Sequence, residues 1–297
     1  MRAIILLLVL ILTSCDRAEG PDAATVSGGP RGDDTVASYD RSFLLLSLRA
    51  DTPVAAVLEF SAVEGPGAIR RTAGAWLARD GTWVRLLEQA WDAAPMREPW
   101  RLVPHGPFRL VAGEGDEIEA LIHRADSTGF RFEPSAALAE WGVGDAVQLR
   151  LRRGALDLGR ESFVGIVLDL QTGAPVTQAG EAEVAFVTDG MRSNLIVARG
   201  VDGRTAAWLR REAETLSWEA VTLARIGGGA ARGEPTRWRI TEPTGDLSGE
   251  LRVEGEPVTI QDTASAAGGA RGVLVRGWIE ARGERRDVFG LLRYGLE

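Results

Sequence analysis

The residues best equipped for chemistry lie between Met96 and Pro107, where Arg97, Glu98, Trp100 and His105 combine opposite charges, an indole and an imidazole. Arg97, Glu98 and His105 could surround a polar group of a ligand, with His105 giving or taking a proton near neutral pH. The same residues fit a loop running into a strand, with Arg97 and Glu98 as a solvated pair and His105 exposed. Nothing fixes a nucleophile or a second base beside them, so no catalytic residue is assigned. Several other chemistries are excluded. The chain contains no lysine, which removes Walker-type phosphate loops, Schiff bases and Ser-Lys dyads. His105 and His123 are its only histidines and Cys15 its only cysteine, too few for a structural Cys/His zinc site. No His-Glu-x-x-His or Gly-x-Ser-x-Gly segment occurs. The acidic run Glu114, Asp116, Glu117, Glu119 lacks calcium-loop spacing and reads as a solvated hairpin edge. Gly227-Gly228-Gly229 reads as a loop between strands. No metal and no cofactor is expected.

Cys15 points to a different chemistry. Met1-Arg2 gives a positive start, Ala3 to Leu12 an apolar run, and Thr13-Ser14 a pair of small residues just before the cysteine. The apolar run is about half the roughly 20 residues that a membrane-spanning helix needs, so it reads as an export signal over residues 1–14. With no second cysteine in the chain, Cys15 cannot form an internal disulfide. Leu12-Thr13-Ser14-Cys15 resembles the lipobox of bacterial lipoproteins. That resemblance implies a diacylglyceryl group on the Cys15 sulfur, a membrane as partner and a place in the cell envelope facing the periplasm. Asp16 resembles the inner-membrane retention signal of some Gram-negative bacteria and tips the expectation toward that membrane.

Asp16 to Asp40 is rich in Gly, Ala, Asp, Ser and Pro without apolar periodicity, and reads with Cys15 as a flexible tether over residues 15–40. The whole chain carries 34 basic and 42 acidic residues, a net charge of −8, with the arginines scattered among glutamates. A nucleic-acid surface needs clustered positive charge, so nucleic acid is not an expected partner.

From Arg41 onward the dominant pattern is short segments alternating apolar and polar residues, the mark of strands with one buried face. In Asp145–Arg152, Val147, Leu149 and Leu151 are expected to be buried, with Gln148, Arg150 and Arg152 facing water. Asp80-Gly81 predicts a tight hairpin turn within Trp76–Trp83, and Arg282-Gly283-Glu284-Arg285 a second one near the end. Many strands and few helices predict an all-β, antiparallel protein. An internal duplication is expected, because Ala75-Trp76-Leu77-Ala78-Arg79 recurs as Ala207-Trp208-Leu209-Arg210-Arg211. Phe163-Val164-Gly165-Ile166-Val167 likewise echoes Val288-Phe289-Gly290-Leu291-Leu292. The expected halves are residues 41–175 and 176–297.

This doubled layout of paired tryptophans and glycine-bearing final strands resembles the tandem lipocalin-like proteins, the group that includes AttH and the carotenoid 1,2-hydratases. The resemblance implies two lipocalin-like antiparallel β-barrel halves and an apolar ligand cavity at a barrel mouth or between the barrels. No hydratase catalytic residue can be matched onto the sequence. The chain has nine tryptophans and two tyrosines. Core packing is the ordinary use of such rings, and Trp76 and Trp208 are the candidates for stacking on a ligand, beside Arg97, Glu98, Trp100 and His105. The expected function is a non-enzymatic envelope lipoprotein that binds or shields a hydrophobic small molecule. Two alternatives stand: a lipocalin-like enzyme of hydratase or isomerase type acting on an apolar substrate, and a scaffold lipoprotein contacting another envelope protein.

Overall fold

The computed structural model describes residues 38–295 apart from 48–52, 66, 95–104, 114–116, 144–146, 175–182, 191, 201, 229–234 and 261–269. Cys15, Arg97, Glu98 and Trp100 therefore lie outside the described residues, as do the export signal and all of the tether before Ser38.

Continuous apolar runs mark the centre of each half. Phe43-Leu44-Leu45-Leu46 belongs to β1 (Ser38–Ser47), which starts within the stretch assigned to the tether because Tyr39 already points inward and is buried. Phe43 and Leu45 pack inside the first half, while Leu44 and Leu46 pack between the halves. A strand covered on both faces needs no polar alternation. The same holds for Val184-Ala185-Phe186-Val187 in the second half.

The first half continues through β2 (Val54–Gly65), β3 (Ala68–Arg79), β4 (Thr82–Ala93), β5 (Phe108–Ala112), β6 (Ile118–His123), β7 (Phe130–Val143), β8 (Val147–Leu158) and β9 (Glu161–Ala174). The second comprises β10 (Glu183–Thr188), β11 (Ser193–Arg199), β12 (Thr205–Arg211), β13 (Glu214–Trp218), β14 (Thr222–Gly228), β15 (Pro235–Thr241), β16 (Leu247–Ile260), β17 (Ala270–Ala281) and β18 (Glu284–Gly295). Among the described residues there is no helix. The protein is all-β, with two curled antiparallel half-barrels.

Each half is one nine-stranded sheet, in the orders β4-β3-β2-β1-β9-β8-β7-β6-β5 and β13-β12-β11-β10-β18-β17-β16-β15-β14. These are the same order with nine added to every label, so the duplication read from the sequence is a duplication of topology. The glycine echo is its clearest trace. Gly165 lies opposite Ser47 and Gly290 opposite Val187, where an added Cβ would come within 2.0 Å of the Leu46 carbonyl oxygen or 2.1 Å of that of Phe186. At both closures the strands cross too closely for any side chain. The expected turns form as well: Asp80 and Gly81 adopt φ of 52° and 75°, Arg282 and Gly283 of 53° and 77°.

Three apolar cores result. One fills each half, and the third lies between the halves, joining Leu44, Leu46, Trp76, Leu149 and Leu168 to Phe186, Ile196, Trp208 and Leu291.

Candidate functional site

The inward-facing positions at one end of the first half carry charge instead of hydrocarbon. Tyr39 and Arg41 on β1, Arg71 on β3, Arg150 and Arg152 on β8 and Asp169 on β9 are all buried. Strand register brings them together, since Asp169 is paired with Phe43 on one side and Arg150 on the other. The Asp169 carboxylate, 1% exposed, accepts from Arg41 Nε and Nη2 at 2.8 Å each and from Arg152 Nε at 3.0 Å. Arg152 also donates to the Ser135 carbonyl at 2.9 Å and to Glu117 at 2.5 Å. Arg150 faces Glu117 at 3.1 Å and Glu140 at 3.5 Å.

Burial by itself would raise the Asp169 pKa, but the charge and hydrogen bonds of Arg41, with Arg152 and Arg150 behind, hold it below the ordinary carboxylate value. Burial opposes the Arg41 charge in the same way, and Asp169 overcomes it, so the guanidinium pKa is raised. Burial pushes the Tyr39 hydroxyl up despite its hydrogen bond with Arg41. Burial lowers the Arg71 pKa. The cluster thus holds a fixed carboxylate among fixed cations. Such an arrangement recognises and orients a polar group; it is poorly suited to passing protons at neutral pH.

Two expectations are corrected here. Arg150 and Arg152 do not meet water: their side chains are 10% and 4% exposed, because the polar face of β8 is the inside of the barrel. Glu117 is not simply a solvated hairpin edge, since it bridges both arginines. Among the described residues no group of three His, Cys, Asp or Glu side chains could hold a metal ion.

Of the residues singled out from the sequence, His105 is exposed and stacks on the buried Trp91, with centroids 4.8 Å apart and planes 4° from parallel. His123 is buried against Phe130, and burial lowers its pKa. Trp76 and Trp208 face neither barrel interior. Both pack in the core between the halves, Trp208 stacked on Trp141 at 5.7 Å. Each lies four residues before its hairpin turn, which begins at Asp80 or Glu212, and the ladders set Trp76 opposite Val57 and Trp208 opposite Ile196.

The second half shows what the cluster replaces. Superposing the registers on Gly165 and Gly290 sets Asp169 against Tyr294, Arg152 against Val273 and Arg150 against Arg271. Tyr294 and the fully buried Trp238 lie 5.4 Å apart, with the Arg225 guanidinium 5.3 Å from each ring. Glu183 pairs with Arg225 and, at 2.9 Å, with Arg199.

Between the halves lies a second polar group. Glu59 accepts from Arg293 at 2.8 Å and from Ser42 at 2.7 Å, next to the hydroxyl pair Ser61–Thr72 at 2.6 Å. Asp40, Ser42, Glu59, Ser61, Thr72 and Arg293 line a cavity of about 10 Å³, room for one water. Thr72 and Gly74 also line a neighbouring cleft of about 150 Å³ that runs along Trp76, Glu88 and Gln89.

No protein-family model and no curated protein sequence matches this chain. Its fold, however, is that of two solved structures. Kievitone hydratase from Nectria haematococca is 11% identical with a TM-score of 0.57, over 91% of this chain and 97% of the other. A putative AttH from Nitrosomonas europaea is 13% identical with a TM-score of 0.56, over 94% and 98%. The body has the tandem lipocalin-like fold. At these identities the likeness concerns the fold and carries no residue role across.

The sequence pointed to none of Arg41, Arg71, Arg150, Arg152 and Asp169. The one local signal is Asp169 itself, a lone acid inside Ile166-Val167-Leu168-Asp169-Leu170, where a strand buried on both faces has no reason to carry a charge unless that charge is paired.

Proposed function

We propose that this chain is a lipid-anchored protein of the bacterial cell envelope, facing the periplasm, whose first half binds or shields a hydrophobic small molecule without transforming it. The observation that carries this reading is the charged cluster at one end of an otherwise apolar interior. Tyr39, Phe43, Phe60, Trp91 and Phe132 make the interior apolar, and the Arg41–Asp169–Arg152 network gives it a fixed polar end. A few polar groups within an apolar site are what orient a small ligand. The locked ionisation of Asp169 favours orientation over proton transfer. Met1–Cys15 supports the anchor on sequence grounds alone, and Asp16 favours the inner membrane.

The test is native purification of the chain lacking Met1–Cys15, solvent extraction and mass spectrometry, followed by tryptophan fluorescence titration with whatever is extracted. A stoichiometric apolar compound that quenches saturably supports the reading. A clean extract with a flat titration overturns it in favour of a scaffold that contacts another envelope protein. For the anchor, the full chain carrying Cys15→Ser is expected in the soluble fraction and the unaltered chain in the membrane fraction.

A second reading, an enzyme of hydratase type acting on an apolar substrate, is favoured by Glu59 in the polar cavity between the halves and by the fold shared with kievitone hydratase. It expects the extracted compound to gain or lose water on incubation with the protein, and Glu59→Gln to stop this.

A further inference from the structure

Glu117 differs from every other acid around the cluster. It stands immediately before β6, and its carboxylate straddles two guanidinium groups, one oxygen 3.1 Å from Arg150 Nη1 and the other 2.5 Å from Arg152 Nη2. The two arginines are two residues apart on β8, so both side chains leave the same face of the strand. Their exposures are 10% and 4%, while that of Glu117 is 43%. The arginines are thus fixed in the wall, and the carboxylate closing them off lies at the water boundary. Arg152 is further held by Asp169 and the Ser135 carbonyl. Glu117 can leave by rotating its own side chain into solvent, without disturbing a strand.

We infer that Arg150 and Arg152 form the head-group site for a monoanionic amphiphile, with a carboxylate and an apolar tail, and that Glu117 occupies this site until the ligand carboxylate displaces it. This rests on the first half being the ligand-binding half. The charges dictate the class. Arg41, Arg150 and Arg152 face one fully buried acid, Asp169, with Glu117 and Glu140 reaching in from the surface. A neutral ligand that pushed Glu117 aside would leave Arg152 with Asp169 and Arg150 with the more distant Glu140 as their remaining anionic partners, whereas a carboxylate restores the fork of charge-assisted hydrogen bonds that spans both. Ile118, which follows Glu117, belongs to the first half's core together with Trp91 and Phe108, so an apolar tail entering behind the carboxylate has to part these packed side chains.

The experiment uses the chain lacking Met1–Cys15, which keeps both sheets whole, and titrates it below micellar concentration with laurate and with dodecanol, reading tryptophan fluorescence. Laurate is expected to bind about tenfold more tightly than dodecanol. Glu117→Gln, which removes the internal competitor, is expected to bind laurate more tightly than the unaltered chain. As a check without a tail, Glu117→Ala should melt at a lower temperature, and sodium acetate should restore the loss where sodium chloride of equal ionic strength does not. Equal binding of laurate and dodecanol, unchanged in Glu117→Gln, overturns the head-group inference and leaves the hydrophobic-ligand reading standing. Binding of neither amphiphile overturns that reading as well, and acetate rescue would then show an anion site without a tail site. Failure of the rescue would remove the anion site too.

Discussion

The two halves of this protein share one topology and fill it in opposite ways. Where the first half sets Asp169 between Arg41 and Arg152, the second sets Tyr294 against Trp238 with Arg225 over both rings. Phe43 faces Asp169 across β1 and β9, and extending the β10–β18 ladder by one residue sets Glu183 opposite Tyr294, so acid and aromatic have exchanged strands. The backbone therefore does not dictate what occupies the interior. One copy uses its end for charge that could meet a ligand, while the other closes it with aromatic volume.

Emptying each interior in turn should give the largest effects. Asp169→Ala leaves Arg41 and Arg152 buried without their anion and should lower the unfolding free energy by about 3–5 kcal/mol, measured by urea denaturation. Trp238→Ala should cost a similar amount, about 3–5 kcal/mol, by opening a cavity instead. The two losses would then separate on repair. Replacing Arg41, Arg152 and Asp169 together by Met, Met and Leu should recover most of the stability, because uncharged side chains of similar volume remove the need for buried charges to be paired, as Tyr294 and Val273 do at two of the matching positions of the second half. That variant should also lose ligand binding. If it binds as before, the cluster has no role in recognition.

A smaller effect is expected from Glu183→Gln. Its partners Arg199 and Arg225 have side chains 36% and 27% exposed, so water replaces part of the interaction, and about 1–2 kcal/mol should be lost.

Acid titration should sharpen the contrast further. The folded-state pKa of Asp169 is depressed, so its contribution is present above the ordinary value of 3.8 and is lost as pH falls from there through the folded value. His123 is depressed too, from an ordinary 6.5. The unfolded chain takes up a proton below pH 6.5 that the folded chain resists, so stability should begin to fall there. His123→Gln should flatten the stability curve between pH 6.5 and the carboxylate range, and Asp169→Asn should flatten only the part at lower pH. Both residues belong to the first half; an equal slope remaining in the double variant would locate acid sensitivity elsewhere.

Much of the fold was legible in the sequence because strands announce their faces. Asp80-Gly81 and Arg282-Gly283 fixed hairpins through positive φ, and the echo of Gly165 by Gly290 exposed the duplication, since both closures forbid a side chain. The candidate site was not legible, for a reason particular to barrels. Alternation in Val147–Arg152 says that two faces differ; it cannot say which one water reaches. Leu149 and Leu151 are buried between the halves and Arg150 and Arg152 inside one, so neither face is wet. Trp76 and Trp208 were hidden in the same way: a large ring on a strand signals burial, and only the packing of one half on the other decides against which partner.

The position of β1 also has a mechanical consequence. It is hydrogen-bonded on one side to β2, from Ser38–Val63 to Leu46–Ala55, and on the other to β9, from Ser38–Ala174 to Ser47–Gly165. Tension applied through the residues before Ser38 would act along this central strand and load both ladders in shear, so that many bonds must yield together rather than unzip one at a time. A domain pulled from that end would hold its shape against drag far better than one suspended from an edge strand.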